Sequence, residues 1–208
     1  TGGRNGYGAK LANIYSNEFI VETGNKDIEK KYKQIFTANM QKLGKPSITK
    51  GKTDFTKITF KPDFAKFGME GIDEDTEALL MKRVYDMAGT VKDCSVHLNG
   101  EKIKISSFKA YVEMYVKAIT ELTGSKPEDD DVGLVLGQPS ADKKQSIIYE
   151  THTDKGKTWE VAFVCSADGI GRQVSFVNNI ATIKGGKHVD MVQHQIISKI
   201  IEHLSKNK

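Results

Sequence analysis

Gly2-Gly3-Arg4-Asn5-Gly6-Tyr7-Gly8-Ala9-Lys10 is the stretch that decides the fold. Glycines at 3, 6 and 8 permit positive φ and close backbone approach, so several N–H groups can converge on one anion. A helix predicted over residues 9–15 brings the positive end of its dipole to the same place. A polyphosphate is the natural occupant, with Lys10 as a mobile cation and Arg4 and Asn5 as side-chain donors at the loop mouth. The order G-x-x-G-x-G excludes two commoner phosphate loops. A P-loop needs Gly-Lys-Ser/Thr after four intervening residues, and the dinucleotide fingerprint runs G-x-G-x-x-G behind a strand. A glycine turn alone is weak evidence for a ligand.

Outward from the loop, Phe19-Ile20-Val21 reads as a strand. Residues 31–41 and 55–61 alternate in β fashion, with Thr56, Ile58 and Phe60 on one face and Phe55, Lys57 and Thr59 on the other. An antiparallel meander is predicted. Residues 73–88 predict a helix bearing Leu79, Leu80, Val84 and Met87, with acids in its first turn opposing the dipole. Asn99-Gly100 marks a hairpin turn between 94–98 and 102–105, since both residues tolerate positive φ. Ser107 is the predicted N-cap of a helix carrying Phe108, Tyr111, Val112, Tyr115 and Ile119.

Residues 125–145 hold Pro127, Pro139 and the acidic block Glu128-Asp129-Asp130-Asp131, a composition poor in apolar surface to bury. They are read as a linker or flexible loop between a first domain (1–124) and a second (146–208). Within the second, 147–153, 159–165 and 173–177 alternate as strands. From His188 onward the period becomes 3.6, with Val189, Val192, Ile196, Ile197, Ile200, Ile201 and Leu204 in one stripe. So broad a stripe predicts a long helix packed on a sheet.

The 208 residues carry 31 Lys+Arg against 27 Asp+Glu, a mildly basic balance that by itself says little about a polyanionic partner. Lysines gather at 26, 30, 31 and 33 and again at 199, 206 and 208; such runs are usually solvated faces. The sequence holds no run of about 18 apolar residues and no charged-then-apolar leader, so neither a membrane span nor a secretory signal is expected, and Thr1 reads as the edge of a fragment. Cys94 and Cys165 sit in apolar alternating runs and are expected to be buried and reduced. Neither they nor the scattered histidines have metal-ligand spacing.

Gly3-Arg4-Asn5-Gly6-Tyr7-Gly8-Ala9-Lys10, followed by Leu11-Ala12-Asn13-Ile14, resembles the ATP-lid glycine motif of eukaryotic type II DNA topoisomerases. That superfamily also includes gyrase, ATP-dependent chaperones, histidine kinases and mismatch-repair ATPases. Phe55-Thr56-Lys57-Ile58-Thr59-Phe60-Lys61-Pro62-Asp63 resembles the strand after the lid, where the residue matching Thr56 lines the nucleotide pocket. The string from Val174-Ser175-Phe176-Val177-Asn178-Asn179-Ile180 through Lys184-Gly185-Gly186-Lys187-His188 to Asp190 resembles the transducer signature shared by topoisomerase II and the gyrase B subunit. This string separates the topoisomerase branch from its relatives.

The resemblance implies an α+β chain: the C-terminal part of a GHKL (Bergerat-type) ATPase α/β sandwich, then a transducer domain with a ribosomal protein S5 domain 2-like β-sheet and a long helix. It implies ATP contacts at Gly3, Arg4, Asn5, Gly6, Tyr7, Gly8, Ala9, Lys10 and Thr56, and DNA contacts at Lys206 and Lys208, in a basic segment facing the DNA cavity. The implied cofactor is ATP with Mg2+. The implied partners are double-stranded DNA and a second copy of the parent enzyme, in the nucleus and away from membranes. No catalytic residue is carried over. The family's glutamate base, magnesium-binding asparagine and adenine-gripping aspartate precede the glycine loop, and its phosphate-sensing lysine follows Lys208, so the chain alone is not expected to hydrolyse ATP efficiently. His188 has no nucleophile or acid around it in sequence and reads as a structural hydrogen-bonding residue. The alternative function is an ATP-binding switch module of the chaperone or mismatch-repair type, without topoisomerase activity. Nucleic-acid binding alone does not account for the lid glycines.

Overall fold

The glycine loop leads directly into helix α1 (Tyr7–Ile14) in a computed structural model that describes residues 5–123, 147–166 and 169–206. The chain divides into two units, Thr1–Glu77 and Ala78–Lys208.

In the first unit α1 is followed by β1 (Ser16–Asn25), β2 (Lys30–Thr37), β3 (Lys42–Leu43), β4 (Ser47–Lys50) and β5 (Phe55–Pro62). They form one five-stranded sheet in the order β3-β2-β1-β5, with β4 also on β2. The pairing is antiparallel, as predicted, but the sheet is not a meander, because β5 returns to the far side of β1. Residue pairing explains the central place of β1. Phe19, 3 % exposed, lies in register between Phe36 and Phe60, at 6.5 and 6.4 Å between ring centroids. Glu22 lies between Lys33 and Lys57 at 3.5 and 3.7 Å, so both seams are held by an aromatic and a charged pair. Strand β2 stops at Thr37 rather than at 41, because Ala38, Asn39 and Met40 all take positive φ and turn the chain away. Gly24 allows the close approach of the 53–55 segment: a Cβ there would lie 2.2 Å from the Thr53 carbonyl oxygen.

Helix α2 (Glu74–Thr90) begins in the first unit and continues into the second. Its first turn carries Glu74, Asp75 and Glu77. Asp73 caps it, with Oδ1 accepting the Thr76 N–H at 2.8 Å. Hydrogen bonds from Thr76 hold the Asp73 carboxyl below its ordinary value. The sequence-predicted apolar face is not the buried one: Leu79, Leu80 and Met87 are exposed, and α2 buries Asp86, Ala88 and Gly89 instead. The cause is Tyr111, whose ring occupies the space over Gly89 so closely that a Cβ there would be 2.5 Å from it.

The second unit continues with the hairpin β6 (His97–Leu98) and β7 (Glu101–Lys102), turned through Asn99 and Gly100 at φ 51° and 85°. Helix α3 (Phe108–Thr123) follows, with Ser107 Oγ accepting the Ala110 N–H at 3.2 Å, so the predicted cap is present. Strands β8 (Ile148–Asp154) and β9 (Lys157–Phe163) pair as a hairpin that sets Trp159 opposite His152. Next come β10 (Phe176–Val177), β11 (Ile180–Ala181) and the long helix α4 (Lys187–Lys206).

Three expectations are corrected here. Cys94 and Cys165 are exposed, because each lies outside a strand, and alternation dictates burial only within one. The strand predicted over 173–177 shortens to Phe176–Val177. Along α4, Ile197, Ile200, Ile201 and Leu204 are exposed, and none of the helix's residues is buried. The sheets described in this unit are two-stranded hairpins, too small to cover a 20-residue helix that spans about 30 Å. The linker read at 125–145, with its acidic block, lies outside the described residues.

Candidate functional site

At the start of α1, Gly6 takes the left-handed conformation, φ 66° and ψ 19°, and serves as N-cap. A glycine meets that requirement without the Cβ penalty of other residues. Among the described residues no side chain caps the helix, and no acid stands in its first turn. The first-turn N–H groups, which cannot bond within the helix, therefore have no side-chain acceptor among the described residues. Asn5, Tyr7, Gly8, Ala9 and Lys10 are exposed, and space beside Gly6 and Gly8 is open to 4 Å. The donor set suits an anion with several oxygens: the first-turn amides, the helix dipole and the Lys10 ammonium. Gly3 and Arg4 lie outside the described residues.

Behind the loop, α1 is fastened at its far end. Tyr15 N–H donates to the Leu11 carbonyl at 2.9 Å, and Asp63 N–H donates to the Tyr15 carbonyl at 2.8 Å. Asn13 is buried, and its Oδ1 has no hydrogen-bond partner among the described residues. Thr56 is exposed on β5, opposite Thr23 of β1. It stands six positions before Pro62, about 20 Å along the strand from the end tied to α1.

The distal motif forms a hydrogen-bonded knot in the second unit. Asn178 and Asn179 at φ 50° and 66° close the β10–β11 hairpin, with Phe176 opposite Ala181. Thr182 N–H donates to the Ser175 carbonyl at 2.8 Å, and the hydroxyls of Ser175 and Thr182 bond each other. Thr182 Oγ1 also bonds His188 Nε2 at 3.0 Å. Gln173 Nε2 donates to the Ile183 carbonyl at 3.1 Å, and Gly186 offers its carbonyl to Val189 and Asp190 N–H. His188 is thus the link between the hairpin and the first turn of α4, the structural role its sequence context indicates.

At the other end of α4, Lys206 Nζ donates to Glu202 Oε1 at 2.8 Å, and Lys199 Nζ to Oε2 at 3.0 Å. These bonds, that of Lys206 foremost, hold the Glu202 carboxyl below its usual value. Lys208 lies outside the described residues.

One group escaped the sequence reading. Asp86 is 2 % exposed and Tyr111 1 %, and the Tyr111 hydroxyl donates to Asp86 Oδ1 at 2.6 Å. Lys82 Nζ donates to both carboxylate oxygens at 2.9 Å, and Arg83 Nη1 to Oδ2 at 3.3 Å. Burial first, then the bond to Asp86, pushes the Tyr111 phenol well above the usual tyrosine range. A hint lies in the spacing: two cations three and four positions before an acid, and a glycine three after it, share one helix face. Among the described residues, no group of three His, Cys, Asp or Glu is arranged to hold a metal. No described helix is long and apolar enough to cross a membrane.

The family model for DNA gyrase B matches residues 107–208. DNA topoisomerase 2 of Meyerozyma guilliermondii is 50 % identical over 210 residues, a match covering 100 % of this chain and 14 % of that protein. The chain therefore spans a small part of this curated relative's length. The ATPase region of Saccharomyces cerevisiae topoisomerase II superposes with a TM-score of 0.78 at 42 % identity, covering 99 % of this chain and 48 % of that one. The ATPase and transducer domains of DNA topoisomerase II from Balamuthia mandrillaris give 0.79 at 32 %, covering 100 % and 46 %.

Proposed function

The chain belongs to the eukaryotic type II DNA topoisomerase family, with the α+β fold of its GHKL ATPase and transducer regions, and from that premise we propose that it connects ATP to duplex passage in such an enzyme. Residues 1–124 form the later part of the nucleotide domain, 125–145 the connection, and 146–208 the first part of the transducer. The carrying observation is the start of α1: a left-handed glycine and, among the described residues, no capping side chain and no acid in the first turn.

Gly3, Arg4, Asn5, Gly6, Tyr7, Gly8, Ala9 and Lys10 hold the phosphates of ATP, and Thr56 lines the pocket. Backbone amides of the loop supply direction and Lys10 supplies charge. Bound ATP with Mg2+ supplies a terminal phosphate whose presence or loss distinguishes two states of the protein. The magnesium ligand and the group that activates water come from outside these residues. Lys206 and Lys208 contact duplex DNA through its phosphates, which carries no sequence information and suits a clamp that passes any duplex. The enzyme acts as a nuclear homodimer.

The test is Gly6→Val combined with Lys10→Ala in the full-length enzyme. Nucleotide affinity, measured by titration calorimetry, should fall by about two orders of magnitude, and ATP-dependent strand passage should be lost. Survival of both would refute the assignment of the loop.

A further inference from the structure

Asp86 is a buried carboxylate with more partners than its charge requires. A buried charge is costly unless it is paired and hydrogen-bonded, and Lys82 and Arg83 meet that need from within α2 itself. The Tyr111 hydroxyl is the third donor and the one that comes from another helix. Asp86 could lose it without becoming an unpaired charge, because the ion pairs within α2 stay closed.

The Tyr111 ring leads onward. It meets Phe176 edge-on at 5.9 Å and 72°, and Tyr115 at 5.0 Å. Phe176 opens the β10–β11 hairpin, and the Ser175–Thr182–His188 hydrogen bonds join that hairpin to the first turn of α4. Contiguous contacts thus run from α2 through α3 and the hairpin to α4; at their start the Tyr111 ring packs on Gly89 and its hydroxyl adds the one directional bond, to Asp86.

We propose that Asp86 is a positioning residue: by holding Tyr111 it fixes the ring on which the β10–β11 hairpin rests, and so ties the placement of α4 to that of α2. The inference rests on the functional reading above, in which α4 belongs to the part that answers to nucleotide.

The experiment uses the full-length enzyme and reads strand passages completed per ATP hydrolysed, together with nucleotide affinity and melting temperature. Tyr111→Phe keeps the ring and leaves Asp86 paired to its two cations. It should leave nucleotide affinity within about twofold and lower passages per ATP about tenfold, the scale of a hydrogen bond to a charged group. Phe176→Leu should give the same loss, and the double variant should be no worse than either single one, as for residues acting through one path. Ser107→Ala removes the cap of α3 and lowers stability but should leave the ratio unchanged. An unchanged ratio in Tyr111→Phe and Phe176→Leu overturns the proposal, as does a fall that Ser107→Ala reproduces at equal loss of stability. If the unaltered enzyme performs no ATP-dependent strand passage, the functional reading fails and takes this inference with it, an outcome visible before any variant is made.

Discussion

Helix α2 starts with Asp73 bonded to the Thr76 N–H and with Glu74, Asp75 and Glu77 in its first turn, whereas α1 starts with Gly6 and, among the described residues, has neither a capping side chain nor an acid in its first turn. Of the four α-helices described, α3 has the Ser107 cap and α4 has Asp190 in its first turn, so α1 stands apart. Every helix start presents unpaired N–H groups and a partial positive charge. Where the protein's own side chains answer them, the position serves stability. Where they do not, room is left for an anion from outside, and Gly6 and Gly8 have nothing within 4 Å of where a Cβ would stand.

The contrast is broken most severely by giving α1 what α2 has. Gly8→Asp places a carboxylate in the first turn of α1, and repulsion of a few kcal/mol at close range should reduce nucleotide affinity on the order of a hundredfold; calorimetric titration with a non-hydrolysable analogue measures it. Gly6→Ala is gentler. It keeps the loop uncharged but forces a Cβ into left-handed geometry, which should cost about 1–2 kcal/mol in urea unfolding of the first unit. Asp73→Ala should lower the melting temperature and leave nucleotide affinity unchanged, because that helix start serves only itself. The Asp73 pKa is depressed in the folded state, so its contribution is present above the ordinary value of 3.8 and fades as pH falls through the lower folded value. A melting curve against pH should show the variant and the parent converge in that acid window. The smallest effect concerns α4: since Glu202 already engages Lys206, Glu202→Gln should steepen the salt dependence of DNA binding by at most about one unit of log–log slope, and Lys206→Ala should flatten it by about as much. Equal slopes in both variants would remove Lys206 from the DNA surface.

The glycine loop and the Ser107 cap were legible because each depends on local backbone chemistry that a few residue types satisfy. The same holds for the Asn99-Gly100 turn. What the sequence hid was settled by partners distant in the chain. Strand β5 returns to β1 because Phe60 and Lys57 match Phe19 and Glu22 in register, which no window of residues reveals. Asp86 reads as one more surface acid until Tyr111, 25 positions on, covers it. The β10–β11 strands are too short for alternation to register, so the Asn178-Asn179 turn betrays the hairpin only through its positive φ. For the candidate site, the glycines announced the left-handed turn at Gly6, while Asn13 and the Ser175–Thr182–His188 knot emerged only with the fold.

Trp159 is the single tryptophan in the chain, and it belongs to the second unit, on β9. Its indole gives that unit an optical signature the first unit lacks. Emission excited at the red edge of protein absorbance follows β9 and its neighbours alone, while far-ultraviolet dichroism sums both units. Following the two signals through one denaturant series separates the unfolding of one unit from that of the other without a label.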